Sequence, residues 1–403
     1  MTSILMKPTK IAGREVRNRL VRSGTSETMA EPNGTVTGEL VDLYETLGRS
    51  SVGLIITGHL YVHPRGQYAP LQMSIADDAR IQGLSRLSSA VTPHGSRFFA
   101  QLAHAGSQSR IPGVAPLAPS PVPNALTGRM VDEASKGEIE ETIEAFGLAA
   151  RRAVESGFDG VHIHAANGYL ISEFASPIAN RRSDKWGGSA AHRDQFPLAV
   201  VRAIREQVPA DFPVTMKIGF ADAPENGLGV AESVERAGKL VDAGLDGIEV
   251  SVGVMERPTD SCGSYVAVDR KRAMDDLLIH RLFSKPGAEA YFQDSARALK
   301  ASVDTKVILV GGMRTTETME EAIESGDADF IAMARPFIRE PDIARQILDG
   351  RTGRVDCTSC NICLQHEGHH SLRCWRKPRR RLLQHALYRF TGGFKRGEII
   401  KTH

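Results

Sequence analysis

The sequence predicts an α/β fold, a (β/α)8 TIM barrel with a short irregular C-terminal tail. Short apolar runs alternate with amphipathic stretches, which is typical of repeated strand–helix units around a parallel sheet. Eight such runs precede residue 356, and eight parallel strands close this type of barrel. We therefore assign residues 1–355 to the barrel and residues 356–403, where cysteines, histidines and basic residues replace the alternation, to the tail.

The predicted strands are short apolar runs separated by stretches long enough for a helix. An open doubly wound sheet would use the same local units, so the count of eight and the polar groups at strand ends favour the barrel. In chain order, the predicted strands are 19–25, 53–58, 97–102, 160–165, 214–219, 247–252, 307–310 and 330–334.

Three similar joints support this count. The segments AVESGFDGVHIH, LVDAGLDGIEVS and AIESGDADFIAM end at His164, Ser251 and Met333. Each is typical of a helix that ends at a glycine, followed by a short turn and a buried strand.

Composition favours a large enzyme domain. The chain has 403 residues, of which 41% are hydrophobic and 24% charged, and its net charge of +2 gives no general attraction to nucleic acid or membranes. The start MTSILMKPTKIAG lacks the features of a secretory signal, and no run of 18 or more apolar residues occurs. We expect a cytosolic protein with a small-molecule substrate. The sequence does not determine the oligomeric state, and a homo-oligomer is one alternative.

Two irregular segments follow predicted strands. Residues 115–130 are rich in Pro, Ala and Ser, and residues 254–272 contain MERPTDSCGSYV. Neither has a helical or strand period, so both are predicted loops. We expect them to line the mouth of the site and to determine the substrate.

The segment 162–188, HIHAANGYLISEFASPIANRRSDKWGG, places histidine, asparagine and tyrosine at the end of an apolar strand. Barrel enzymes carry their chemistry at the carboxyl ends of strands. This composition therefore predicts a reaction site.

Motifs at nearly every predicted strand end resemble those of one family. VHIHAANGYLISEFASPIANRRSDKWGGS, followed by HRDQF, is similar to the old yellow enzyme family of FMN-dependent NAD(P)H:flavin oxidoreductases and ene-reductases. The resemblance covers roughly residues 1–355. The other matching segments are NRLVRSGTSE, GLIITGHLYV, AQLAHAGSQ, VTMKIGF, VILVGGMR and IAMARPFIREPD.

This resemblance implies a reaction and the residues that perform it. The family passes hydride from NAD(P)H through FMN to an activated C=C bond. His164 and Asn167 match its carbonyl-binding pair, and Tyr169 matches its proton donor. Donors fixed at a strand end stabilise enolate-like charge, and a phenol with a pKa near ~10 stays protonated at neutral pH.

The resemblance also implies the FMN site. Gly311 and Gly312 end a strand before a helix that starts near Thr316, a geometry that offers N–H groups to phosphate. At the phosphate the resemblance implies Ala334 and Arg335, and at the flavin N1 edge it implies Lys217. Gln101 would contact the flavin ring, and Ser23 to Ser26 would pass beneath it, with Thr25 or Ser26 bonded to O4. His104 would lie on the substrate side.

His162 differs from the acidic or amide residue found at this position in many relatives. It shares a strand face with His164, so a His-x-His metal pair is one interpretation, as in a metal-dependent, non-flavin barrel such as an aldolase. No carboxylate is apparent nearby in the sequence. A packed or flavin-adjacent histidine is therefore favoured.

The tail contains Cys357, Cys360, Cys363 and Cys374, a plausible [4Fe-4S] ligand set. The run is similar to that of the 2,4-dienoyl-CoA reductase and trimethylamine dehydrogenase group, but the spacing to Cys374 looks short. We expect this chain to be without the additional nucleotide domain of that group, since few residues follow the cysteines before His403. A cluster would favour an iron–sulfur flavoenzyme that exchanges electrons with a separate protein.

Zinc and the absence of any metal are the other interpretations of the tail. The histidines between the last two cysteines are His366, His369 and His370, which are suitable zinc ligands. The basic run 376–381 is typical of a solvated terminus, and we assign it no function.

Overall fold

The structure is a computed structural model that describes residues 3–256 and 289–391. Eight strands form a closed barrel in which every neighbouring pair is parallel, in the order β3-β4-β5-β8-β9-β10-β11-β12. All eight predicted strands overlap these, so the predicted barrel is confirmed. The strands are β1 Thr9–Ile11, β2 Arg14–Val16, β3 Leu20–Arg22, β4 Leu54–Tyr61, β5 Arg97–Ala103, β6 Leu117–Ala118, β7 Asp132–Glu133, β8 Gly160–Ala165, β9 Val214–Ala221, β10 Gly247–Val252, β11 Lys306–Leu309 and β12 Phe330–Met333.

Helices cover the outer surface of the barrel. Their apolar faces pack on the outward-pointing residues of the strands, such as Ile163 and Met216, in one large core. The helices in the described residues are α1 Gly38–Gly48, α2 Ile81–Val91, α3 Lys136–Glu155, α4 Leu170–Ala175, α5 Ala190–Arg193, α6 Gln195–Arg205, α7 Val230–Asp242, α8 Gln293–Ser302, α9 Thr316–Glu324, α10 Arg335–Arg339, α11 Ile343–Leu348, α12 Ile362–Gln365 and α13 Arg379–Phe390.

The N-terminal hairpin of β1 and β2 contributes to a second core. Its residues Ile11 and Val16 are fully buried and pack with Leu54, Phe99 and Phe330. Leu54 and Phe330 are the first residues of β4 and β12. The amino ends of the strands are therefore filled by apolar side chains, which leaves the carboxyl ends for polar groups.

The tail is more regular than the sequence predicts. Helix α13 carries part of the basic run, and buried His366 stacks on Trp375 at 3.5 Å between ring centroids. His366 also lies 2.9 Å from His385 of α13, from Nε2 to Nδ1. These ring contacts anchor the helix, and their partners are too far apart in sequence for a local pattern to reveal.

The tail folds back onto the barrel. The Gly368 N–H donates to Thr28 Oγ1 at 3.0 Å, and Ser371 Oγ donates to Glu39 Oε2 at 2.9 Å. Of the two predicted loops, residues 115–130 include the short strand β6, and most of 254–272 lies outside the described residues. Among the helices described, none is both long and apolar enough to cross a bilayer.

Candidate active site

A cavity of about 280 Å³ lies at the carboxyl ends of the barrel strands. It is lined by residues that are far apart in sequence and are brought together because parallel strands end at the same rim. Most of the predicted site residues line it, namely Ser23, Thr25, Ser26, His164, Asn167, Tyr169, Lys217, Gly311, Gly312, Ala334 and Arg335.

Gln101 and His104 are not in the lining of this cavity. Gln101 lies directly behind the cavity wall. Gly24 lines the cavity, and a Cβ on Gly24 would be only 2.5 Å from the Gln101 amide. His104 lies beside Gly66, and its Nδ1 accepts from the Gly106 N–H at 3.1 Å. His104 therefore does not line this cavity, and its substrate-side role stays a prediction.

His164, Asn167 and Tyr169 form one polar wall. The rings of His164 and Tyr169 are 4.5 Å apart between centroids. Asn167 has a positive φ of 59°, and its N–H donates to Val252 O at 2.8 Å while its C=O accepts from Gln108 Nε2. These backbone bonds hold the turn between β8 and α4, so the three side chains face the cavity together.

Burial determines the protonation of this wall. It lowers the pKa of His164 well below its usual value, assisted by His59, Lys217 and His162. Burial also raises the pKa of Tyr169 well above its usual value, assisted by Tyr68 and Glu367. At neutral pH the wall thus offers a neutral imidazole and a protonated phenol, both of which can donate hydrogen bonds.

A buried charge network lies beneath the cavity. Lys217 on β9 and Glu249 on β10 are paired neighbours in the sheet, and Lys217 Nζ is 2.9 Å from Glu249 Oε1. Ser23 Oγ donates to the same carboxylate at 2.6 Å. Burial alone would raise the pKa of Glu249, but Lys217, His162 and Ser23 lower it to about 2.

His162 belongs to this network. Its Nε2 is 3.0 Å from Glu249 Oε2, and its Nδ1 is 2.8 Å from Thr215 Oγ1. Burial lowers the pKa of His162, so the neutral ring donates to the carboxylate. Both ring nitrogens are engaged, which removes the His-x-His metal pair. The carboxylate partner Glu249 is remote in sequence and comes close only in the fold. Of the two favoured interpretations, the packed histidine agrees with this geometry.

The residues present fit FMN. Gln101 Nε2, Ser26 Oγ and His164 Nδ1 are buried and have no hydrogen-bond partner within residues 3–256 and 289–391. Unsatisfied buried donors and acceptors are costly and point to a ligand. Lys217 supplies a cation beside them. The polar groups and the charge match the needs of an isoalloxazine ring.

The predicted phosphate end lies across the cavity. Gly311 and Gly312 have φ values of 108° and 75°, and a Cβ at Gly311 would be 2.7 Å from the rings of Tyr291 and Phe292. Positive φ values are unfavourable for residues that carry a Cβ, so glycine is favoured at both positions. Arg335, which lines the same cavity, donates to Asn361 of the tail.

Sequence reasoning missed several residues of the site. Glu249 and His59 are polar residues inside apolar strand runs, GIEVSV and LIITGHLY. A polar side chain inside an apolar strand run is visible in the sequence, so both could have been found. Leu364 and Glu367 of the tail also line the cavity, and no sequence signal indicates this, since the tail reaches the site only through tertiary contacts.

The four cysteines line a separate cavity of about 670 Å³, which shares Arg335 with the first. Within the described part of the chain, no three Cys, His, Asp or Glu side chains are grouped as metal ligands. His366 is hydrogen-bonded to His370 and His385 rather than directed at the cysteines. The four cysteine side chains line one cavity, so the cluster stays a prediction, and we derive no step through it or through a zinc site.

Glu173 on α4 is a buried carboxyl behind the wall. Burial raises its pKa to about 8 against hydrogen bonds from Ser107, which lower it. Because its pKa is higher in the folded state than the 4.5 of the unfolded chain, Glu173 contributes its full stabilisation below pH 4.5. That contribution is lost as the pH rises toward 8.

The wild type should lose free energy of unfolding between pH 5 and pH 8, and we expect this loss to be smaller in Glu173→Gln, whose amide mimics the neutral acid. Denaturant titration at several pH values measures the free energy of unfolding of both proteins. The exposed Glu144→Gln on α3 is the matched control and should leave this pH dependence unchanged. Equal pH slopes for the Glu173 variant and the wild type would show that Glu173 is ionised in the fold.

The model of the NADH:flavin oxidoreductase / NADH oxidase family matches residues 4–353. The chain belongs to this family. The family assignment confirms the resemblance predicted from the strand-end motifs, with FMN as the family's cofactor and NADH or NADPH as its electron donor.

Individual relatives agree with this family assignment. The chain is 36% identical over 358 residues to an NADH oxidase from Thermoanaerobacter brockii, covering 88% of this chain and 52% of that protein. It is 33% identical over 342 residues to an NADPH dehydrogenase from Geobacillus sp. strain WCH70, covering 85% and 92%. The chain thus spans about half the length of the NADH oxidase.

A solved structure has the same fold. The complex of 2-naphthoyl-CoA reductase with 2-naphthoyl-CoA superposes with a TM-score of 0.82 at 26% identity, covering 95% of this chain and 58% of that chain.

Proposed function

We propose that this protein is an FMN-dependent oxidoreductase that uses NAD(P)H to reduce an activated C=C bond, as in an enone. The observation that carries the proposal is the polar wall of His164, Asn167 and Tyr169 beside a cavity with unsatisfied buried polar atoms and a buried cation. The wall supports carbonyl binding and proton donation. The atoms behind it support a flavin.

Bound FMN supplies hydride transfer from the nicotinamide to the substrate. The chain positions the substrate: neutral His164 and Asn167 bind its carbonyl oxygen by hydrogen bonds. Donors that are already fixed stabilise the negative charge that develops on this oxygen without reorganisation. Lys217 and Gln101 would hold the flavin, and the turn at Gly311 with Arg335 would hold its phosphate.

Tyr169 completes the reaction by protonation. Its hydroxyl gives a proton to the α-carbon of the substrate, and the phenolate that remains is later reprotonated from water. The raised pKa of Tyr169 keeps the proton in place until the carbon becomes basic. Burial of this wall restricts competing water, because Tyr169 is only 6% exposed.

The proposal is tested on the purified protein. We expect it to be yellow, to release FMN on denaturation, and to lose its colour with NADH or NADPH under anaerobic conditions. Addition of an enone should restore the colour. A colourless protein that cannot be reconstituted with FMN would overturn the proposal.

A second candidate is an iron–sulfur flavoenzyme that exchanges electrons with another protein. It is favoured by one observation, the contact of the cysteine-lined cavity with the proposed flavin site through Arg335. Iron and zinc analysis of anaerobically purified protein tests it. Stoichiometric iron with a broad brown absorbance would support it, and its absence would leave the simpler flavoenzyme.

A further inference from the structure

His59 on β4 lies against the proposed proton donor. Its Nε2 is 3.0 Å from Tyr169 Oη, and the two rings are 5.5 Å apart between centroids. The side chain is buried, yet it lines the cavity. A ring nitrogen at this distance either donates to the phenol oxygen or accepts its proton, and the two cases have opposite consequences for catalysis.

Gln72 decides between these cases. The Tyr68 N–H donates to Gln72 Oε1 at 2.6 Å, which fixes the orientation of the amide, since a flipped amide would place two donors together. Gln72 Nε2 therefore faces His59, 2.9 Å from both its Nδ1 and its carbonyl oxygen. The amide has one hydrogen for each of these acceptors.

Because His59 Nδ1 accepts from Gln72, the ring proton lies on Nε2 and is donated to Tyr169 Oη. The hydroxyl hydrogen of Tyr169 must then point away from His59. We propose that His59, oriented by Gln72, is a positioning residue that keeps this hydrogen directed at bound substrate and donates to the phenolate left after proton transfer. This inference rests on the proposed function, in which Tyr169 is the acid.

The step balances as follows. The O–H bond of Tyr169 breaks, a C–H bond forms at the α-carbon of the substrate, and the electron pair stays on the phenol oxygen. Burial makes this phenolate costly, so a hydrogen bond from Nε2–H contributes directly to the transition state. Among the residues that the structure describes, the other titratable or charged groups that face Tyr169 are His164 of β8, Tyr68 and Arg110 of the loops, and Glu367 of the tail.

His59→Leu removes the donor, and His59→Gln retains an N–H donor on a side chain of similar reach. We expect His59→Leu to slow enone reduction roughly 10- to 100-fold, the effect of losing one hydrogen bond to a charged group. His59→Gln should recover much of this loss. Stopped-flow measurement separates enone reduction from flavin reduction by NAD(P)H, and only the former should show the Leu-to-Gln recovery.

Nitrogen NMR of the labelled protein gives a readout that does not depend on activity. We expect His59 to carry its proton on Nε2 in the wild type. Gln72→Leu should allow the proton onto Nδ1 and slow enone reduction, which keeps the inference testable if His59→Leu does not fold. A wild-type proton on Nδ1, or a wild-type rate in a folded His59→Leu or Gln72→Leu variant, would overturn it.

The inference and the proposed function fail in different ways. If Tyr169→Phe slows enone reduction but His59→Leu and Gln72→Leu do not, Tyr169 remains the acid and the role of His59 is wrong. If Tyr169→Phe reduces enones at the wild-type rate, the proposed role of Tyr169 fails first.

Discussion

Tyr169→Phe should slow enone reduction by roughly 10²- to 10⁴-fold, the usual contribution of a positioned general acid. The substitution removes the proton but retains the buried ring and its packing against His164 and Tyr68. Flavin reduction by NAD(P)H requires no proton from this hydroxyl and should stay nearly intact. Single-turnover measurement of the two half-reactions gives both rates.

The matched control is Tyr68→Phe. Tyr68 lines the same cavity, and its ring centroid is 5.9 Å from that of Tyr169. We assign the proton to Tyr169, whose hydroxyl is the one bonded to His59, and not to Tyr68. Loss of the Tyr68 hydroxyl should therefore have a much smaller effect on enone reduction. Equal slowing of both half-reactions by Tyr169→Phe would contradict its role as proton donor and indicate a general disturbance of the site.

Glu249→Gln should lower the free energy of unfolding by roughly 3 to 5 kcal/mol, the usual cost of removing one partner of a buried ion pair. Glu249 is fully buried and Lys217 is 7% exposed, so the amide would leave the ammonium without a counter-charge away from water. Denaturant titration at neutral pH measures the loss. It should be made with and without added FMN, because a ligand that binds the folded state adds its own stabilisation.

The double variant Lys217→Met/Glu249→Gln is the control. It removes both charges, so it should be more stable than Glu249→Gln alone, while FMN binding should weaken because the cation is lost. Acid gives an independent check. With its pKa lowered to about 2, Glu249 stabilises the fold above its usual 4.5, and this contribution is lost as pH falls through 2. A single variant as stable as the wild type would mean that the pair is not ionised.

The barrel was predictable because its signals are local. Buried parallel strands are short apolar runs, and the glycine-stopped joints before His164, Ser251 and Met333 repeat along the chain. The site motifs were equally local, since His164, Asn167 and Tyr169 occupy one turn after one strand. Chemistry that lies on a single strand end can be recognised in the linear sequence.

The partners of these groups depend on the tertiary structure. Glu249 reaches Lys217 and His162 because the sheet register places three strands side by side, and His59 reaches Tyr169 across the rim of the barrel. Gln72 then selects which nitrogen of His59 carries the proton.

The sequence by itself therefore determined the eight-stranded barrel, and through the family resemblance it indicated the strand end at which we propose the carbonyl-binding and proton-donating groups. Only the tertiary structure decided that His162 supports a buried charge network, that His104 lies outside the cavity and that the tail contributes Leu364 and Glu367 to its wall. The physical reason is that strand and turn formation depend on neighbours in sequence. Hydrogen-bond partners and charge compensation depend on neighbours in space.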